Sequence, residues 1–299
     1  MKIINKILRF ISIGLLGILL VAIVWYNWPQ KQEDRFLYLP EKALVYGQLC
    51  IDWREKGPAE LFDVFWKKMT AMNPQLSNNL ARKFVLSMLP QVVLFSVIYD
   101  QDYARLKKQP DYVIIIDLGK KMRLVRLVIN IASLKGSGSR KNESLRILNN
   151  LLLLKPATIN QRSLPPVEAA TIRALFRPYT REELNVYITN KHGELSKFAK
   201  HLEEKSNFSF FPSIDLVEYI QLSGKLATAD QVKGKITFVS KYIADVDKIG
   251  VDAFFLNNAL MRLLLGAGFA YEGDVTSLAN FVEINYQVHN LNRIWRQIQ

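Results

Sequence analysis

Residues Phe10 to Trp28, FISIGLLGILLVAIVWYNW, run for 19 positions without a charge. At about 1.5 Å rise per residue, a helix of that length nearly spans a hydrocarbon core about 30 Å thick. Lipid offers the backbone no hydrogen-bonding partner, so such a segment must pair within itself and is helical. We therefore expect a transmembrane helix over 10–28, with a cytoplasmic tail over 1–9 and a short polar tether over 29–42. Lys2, Lys6 and Arg9 precede the apolar run, and no acidic residue comes before Glu33. The positive-inside tendency then places the N-terminus in the cytoplasm and the bulk of the chain outside it. Phe10 opens the anchor, and Trp25, Tyr26 and Trp28 close it with rings suited to the headgroup layer. Two readings compete with an uncleaved anchor. A cleaved signal peptide would need a small-x-small site, where the chain reads WYNWPQKQ. A buried helix of a soluble protein is the other.

Beyond the anchor, the chain is long enough for one domain or two, and nearly half its residues are apolar. Its formal charge is +13. The excess concentrates between Leu118 and Arg146, where eight basic residues accompany one acidic residue, Glu143. Lys120, Lys121, Arg123 and Arg126 lead that stretch and are the candidate contacts to an anionic surface: lipid headgroups, envelope polymers or nucleic acid. An extracytoplasmic location disfavours nucleic acid. The competing reading is a solvated helix face followed by a loop. The single cysteine, Cys50, excludes an internal disulfide and lies in an apolar run, LVYGQLCID, where it reads as a small buried hydrophobe.

Periodicity gives the elements. Ala43–Asp52, Val92–Tyr99 and Tyr112–Leu118 are apolar runs of strand length, and the last two read as central strands covered on both faces. Pro58 suits the first turn of a helix in which Leu61, Phe62, Phe65, Met69 and Met72 recur at helical spacing. Ser77 is a candidate N-cap for a second helix carrying Leu80, Phe84 and Met88 on one face. A third helical stripe runs from Arg123 to Leu134, and Leu145–Leu154 is ambiguous between helix and strand. Prolines 156, 165 and 166 mark a boundary, giving a first α+β half over 43–155 and a second over 156–299. In the second half we expect a helix from Pro166 to about Phe176, a strand over Leu184–Thr189 and a helix over Glu194–Glu204. A hairpin should follow around Thr228–Gln231, with a core helix capped by Asp252 over Ala253–Leu265 and strands over Ala270–Gly273 and Ala279–Val288. A short helix ends the chain at Leu291–Ile298. The order strand, polar turn with one Gly, helix recurs at Tyr112–Ser133 and Leu184–Ser206, and with a longer turn at Ala43–Met69. The fold class expected is α+β: one transmembrane helix, then β-loop-α units combined with antiparallel hairpins.

LPEKALVYGQLCIDW, followed later by PDYVIIIDLGK, resembles a bacterial class of membrane-anchored proteins. In that class an N-terminal helix precedes an envelope-exposed α+β region. The resemblance covers about a third of the chain and implies placement at the inner membrane; it brings no catalytic residues.

Motifs for chemistry are missing. His192, His201 and His289 lack metalloprotease spacing, and one cysteine cannot build a zinc ribbon or an iron–sulfur site. GSGSRKNES has neither phosphate-loop spacing, and there is no GxSxG elbow. Asp52 and Asp117 each follow an apolar strand and could serve acid–base chemistry if they met; an aspartate there equally caps the next turn. The function expected is a membrane-anchored, extracytoplasmic, non-catalytic binding or scaffold module, with no cofactor or metal and with an envelope protein as partner. The alternatives are an envelope hydrolase using those carboxylates and a peripheral anionic-lipid binder.

Overall fold

The computed structural model describes residues 33–41, 43–74, 77–98, 111–127, 145–147, 150–154, 165–176, 184–191, 193–206 and 211–292. The anchor residues Phe10, Trp25, Tyr26 and Trp28, the GSGSRKNES loop, His192 and the C-terminal Arg293–Gln299 lie outside them.

The strands are β1 (Val45–Cys50), β2 (Val92–Ile98), β3 (Asp111–Asp117), β4 (Leu145–Ile147), β5 (Leu151–Leu154), β6 (Leu184–Thr189), β7 (Val217–Thr228), β8 (Gln231–Ser240), β9 (Ala270–Leu278) and β10 (Phe281–His289). The helices are α1 (Lys56–Met72), α2 (Asn79–Met88), α3 (Pro166–Phe176), α4 (Glu194–Ser206) and α5 (Val246–Gly266). A one-turn helix at Arg35–Tyr38 precedes β1, and residues 122–127 are helical after β3. The mixed helix and sheet bear out the α+β class.

All ten strands join one sheet in the order β4-β5-β3-β2-β1-β6-β7-β8-β10-β9, and every pairing is antiparallel. The order has an internal symmetry. Counted outward from the centre, the first half reads β1, β2, β3, β5, β4 and the second reads β6, β7, β8, β10, β9. Each half follows one path: strand, helical crossover, hairpin, helical crossover, hairpin. The halves meet where β1 runs antiparallel to β6, with Tyr46 opposite Tyr187. Antiparallel neighbours are related by a rotation about an axis perpendicular to the sheet, so the two halves present equivalent faces on the same side. The repeated path therefore matches Ala43–Met72 with Leu184–Ser206, and β3 with β8. The sequence pattern had paired Tyr112–Ser133 with Leu184–Ser206. Strand–turn–helix recurs at every crossover, and only strand order tells the crossovers apart.

Alternation gives the sheet two faces. One carries Tyr46, Leu94, Ile115 and Leu153 in the first half and Tyr187, Gln221, Thr237 and Lys235 in the second. We call it the tyrosine face. In the first half it is covered by the Arg35–Tyr38 turn and α3, whose Phe36, Ala169, Ile172 and Phe176 complete a core with Leu94, Val113, Ile115 and Leu151. On the opposite face of the second half, α4 and α5 bury Leu195, Val246, Ile249 and Ala253 against Phe238, Val282 and Ile284. At about 25 cal/mol per Å² of apolar surface buried, these two clusters are what hold the sheet together. The start of α1 abuts β7 so closely that a Cβ on Gly57 would stand 1.9 Å from the Leu226 carbonyl oxygen.

Several helices differ from their sequence reading. α1 buries Phe62 and Trp66 and leaves Phe65 and Met72 exposed. α2 is capped by Asn78, whose side chain accepts from the Leu80 N–H, and its Leu80 and Phe84 are exposed. Leu145–Leu154 resolves into the hairpin β4–β5. The largest change is α5. It begins at Val246 rather than Ala253, and Asp252, instead of capping it, accepts a hydrogen bond from the Ser213 N–H at 2.6 Å. Val246, Ile249, Ala253 and Asn257 are buried, so α5 packs into the core along one face and is not buried all round. Phe254, Phe255 and Leu263 stand 55%, 65% and 68% exposed. With the turn before it, Ile243–Gly266 is long and apolar enough, by length and composition, to cross a membrane.

Candidate functional site

The carboxylates at the strand ends both serve turns. Asp52 Oδ1 accepts the Arg54 N–H at 3.0 Å. Asp117 Oδ1 accepts the Gly119 N–H at 3.0 Å and the Asn150 side-chain amide at 3.3 Å, and its Oδ2 takes Arg35 Nη1 at 2.7 Å. Each aspartate bonds the N–H two residues on, the turn role that the residue type predicts. Asp117 also ties the Arg35–Tyr38 turn to β3, so its lone pairs are committed to structure.

The basic residues after β3 differ in exposure. Lys120 is exposed, whereas Lys121, Arg123 and Arg126 are half-buried. Lys121 Nζ donates to the Leu89 carbonyl at 2.8 Å, and burial lowers its pKa. Among the described residues, no three His, Cys, Asp or Glu side chains are grouped to hold a metal ion. Cys50 is half-buried and its sulfur accepts from the Gln48 side-chain amide.

Two concavities lie on the tyrosine face. The smaller, about 210 Å³, sits where the halves meet, beneath α3. Tyr46 and Tyr187 form its floor, and Glu41, Glu168, Lys191 and Glu194 stand around it. The Tyr46 hydroxyl donates to the Pro40 carbonyl at 3.0 Å and receives the Ala43 N–H at 3.4 Å. Burial, with Glu168, Tyr187 and Glu194 adding negative charge nearby, pushes Tyr46 up to about 12. Burial and the neighbouring Tyr219 push Tyr187 to about 12 as well. Both phenols stay protonated at neutral pH and act as hydrogen-bond donors rather than bases.

The larger concavity, about 630 Å³, opens on the same face in the second half. Sheet register writes its lining as two parallel rows. One crosses β7, β8, β10 and β9 as Lys225, Lys233, Gln287, Glu272; the next as Ser223, Lys235, Asn285, Asp274. Positive charge sits toward the middle of the sheet and negative charge at its edge. Lys225 faces Lys233 across the ladder, an unfavourable pair that Glu55 relieves by an ion pair to Lys225. Lys235 lies 3.6 Å from Glu283. The sequence reading missed this lattice, although the alternation of Lys233, Lys235 and Thr237 along β8, and of Glu272 and Asp274 along β9, is visible in it. What hid it was the pairing, which alone sets those residues side by side.

Neither protein-family models, nor curated proteins, nor solved structures return a match to this chain. The described residues form one antiparallel α+β sheet in which the same strand path occurs twice.

Proposed function

We propose that the chain is a membrane-tethered, extracytoplasmic binding or scaffold module that acts without catalysis. The supporting observation is the open polar part of the tyrosine face over β8, β10 and β9, where Lys233, Lys235, Glu272 and Asp274 are exposed, whereas α3 reaches only as far as Gln221 on β7 and the same face in the first half is sealed. A shallow, open lattice of Lys, Asn, Gln and Glu offers many weak contacts and suits recognition of an extended partner. Reaction chemistry needs groups converging on one point with tuned acidity. Asp52 and Asp117 are spent on turns, and the phenols of Tyr46 and Tyr187 are held protonated, which favours binding over the hydrolase reading. Charge-free Phe10–Trp28 supports the tether, and Lys2, Lys6 and Arg9 support its orientation. A β-lactamase fused at the C-terminus of the full-length chain tests the placement. Protection of bacterial cells against a β-lactam, with the fusion in the membrane fraction, is the expected result. A sensitive strain, or a fusion soluble without detergent, would remove the proposal. Cross-linking in solubilised membranes should then recover a stoichiometric envelope partner.

A further inference from the structure

Among the described residues, β9 is the last strand of the sheet and pairs only with β10, in unbroken register over nine residues. It has no proline, lysine or bulge of the kind that blunts a free edge. The other edge, β4, is three residues long. Glu272, Asp274 and Thr276–Leu278 on β9 are exposed, and Glu272 and Asp274 form no ion pair among the described residues. Helix α5 lies along this edge. Asn257 donates its side-chain amide to the Gly273 carbonyl at 3.2 Å, Tyr271 donates its hydroxyl to Asn257 Oδ1 at 2.6 Å, and Gly250 faces Ser277. Phe254 and Met261 stand one helical turn to either side of Asn257, on the flank that faces outward past β9. Leu265 follows one turn beyond Met261, and like Phe254 it is more than half exposed. The edge thus has an acidic rim on the tyrosine face and an apolar eave on the other.

We propose that β9 is the docking edge for an extended segment of a partner polypeptide that alternates basic and apolar residues and joins the sheet as an eleventh strand. Main-chain hydrogen bonds to β9 would give affinity, and alternation would give specificity. Basic side chains on one face of the added strand meet Glu272 and Asp274. Apolar side chains on the other lie beneath Phe254, Met261 and Leu265. A second copy of this chain fits the edge less well, because two antiparallel β9 strands would gather both copies of Glu272 and Asp274 on one face of the joined sheet. This inference rests on the binding-module reading and names the chemistry of its partner.

The test uses the full-length chain in a neutral detergent and a fluorescent nine-residue peptide alternating Lys and Val. We expect salt-sensitive binding by anisotropy, with amide exchange over 270–278 slowed on binding. The double variant Glu272→Lys, Asp274→Lys should bind about tenfold more weakly and gain affinity for a peptide alternating Glu and Val. Phe254→Ser, which removes one edge of the eave, should weaken binding several-fold; thermal melts establish that both variants fold. The proposal is overturned if the double variant binds equally well, if a peptide with its lysines grouped at one end binds as tightly, or if exchange over 270–278 is unchanged. Lack of binding by a chain whose C-terminal fusion is extracytoplasmic removes the docking edge and spares the module reading. A cytosolic fusion removes the module reading whatever the peptide does.

Discussion

In the first half, Leu94, Ile115 and Leu153 turn the tyrosine face of the sheet toward Phe36, Ile172 and Phe176. In the second half, the same side of the matching strands presents Lys235, Asn285 and Asp274 to solvent across an open cleft. Strand order and crossovers are shared, so backbone path does not explain the difference. Its cause is the chemistry of every second residue: the Arg35–Tyr38 turn and α3 find an apolar surface to cover in the first half, where β8, β10 and β9 present Lys, Asn, Glu and Asp instead. One repeated strand path thus supports a closed half and a half whose outer strands stay open to solvent. The opposite face tells the complementary story: there α4 and α5 seal the second half around Ile249 and Ile284.

The sharpest break in this comparison is a cavity under the lid of the first half. Phe176 is 1% exposed, so Phe176→Ala should destabilise by about 3–5 kcal/mol, read by urea unfolding. Next comes the tie between lid and sheet. Asp117→Ala removes the Arg35 ion pair, whose side chains are 28% and 21% exposed, and two further hydrogen bonds; a loss of about 1–3 kcal/mol is expected. If Asp117→Ala instead left stability unchanged, the Arg35 ion pair would contribute nothing net to holding the lid.

Tyr46 sharpens the boundary between halves through pH. Its folded pKa, raised to about 12 from 10, means that the native state holds its proton more tightly than the unfolded chain does. That contribution is complete below the unfolded value and is lost as pH rises from about 10 through 12. Tyr46→Phe should lower stability at pH 7 by about 1–2 kcal/mol, because the Pro40 carbonyl loses its donor. The variant should also show a shallower fall in unfolding midpoint across that alkaline window. The smallest effect belongs to the open face: Lys235→Ala should change stability by less than about 0.5 kcal/mol, since its carboxylate neighbour is 3.6 Å away at a half-exposed site.

Much of the framework was legible before any coordinates. Ala43–Asp52, Val92–Tyr99 and Tyr112–Leu118 became β1, β2 and β3, because continuous apolar runs of strand length have few other uses. α3 runs from Pro166 to Phe176 as its span in the sequence indicates, with proline at the first helical position, and the hairpin around Thr228–Gln231 formed with Leu222 facing Ile236. Helix faces were harder. Phe65, Leu80 and Phe84 sit at helical spacing yet point outward, since periodicity marks an apolar stripe without saying what lies against it. Asp247 and Asp252 broke the apolar pattern of α5 and hid its first two turns. The graded lattice of Lys233, Lys235, Asn285 and Asp274 was beyond sequence reasoning for another reason: it is made by register between strands that are distant along the chain.

Cysteine accessibility tests the contrast between halves most directly. In a Cys50→Ser background, Lys235→Cys on β8 and Ile115→Cys on β3 place one thiol on each copy of the tyrosine face, at matching strands. The account predicts that a maleimide modifies the thiol at position 235 rapidly in the folded protein and reaches position 115 only when the chain unfolds. Equal rates at the two positions under native conditions would contradict it.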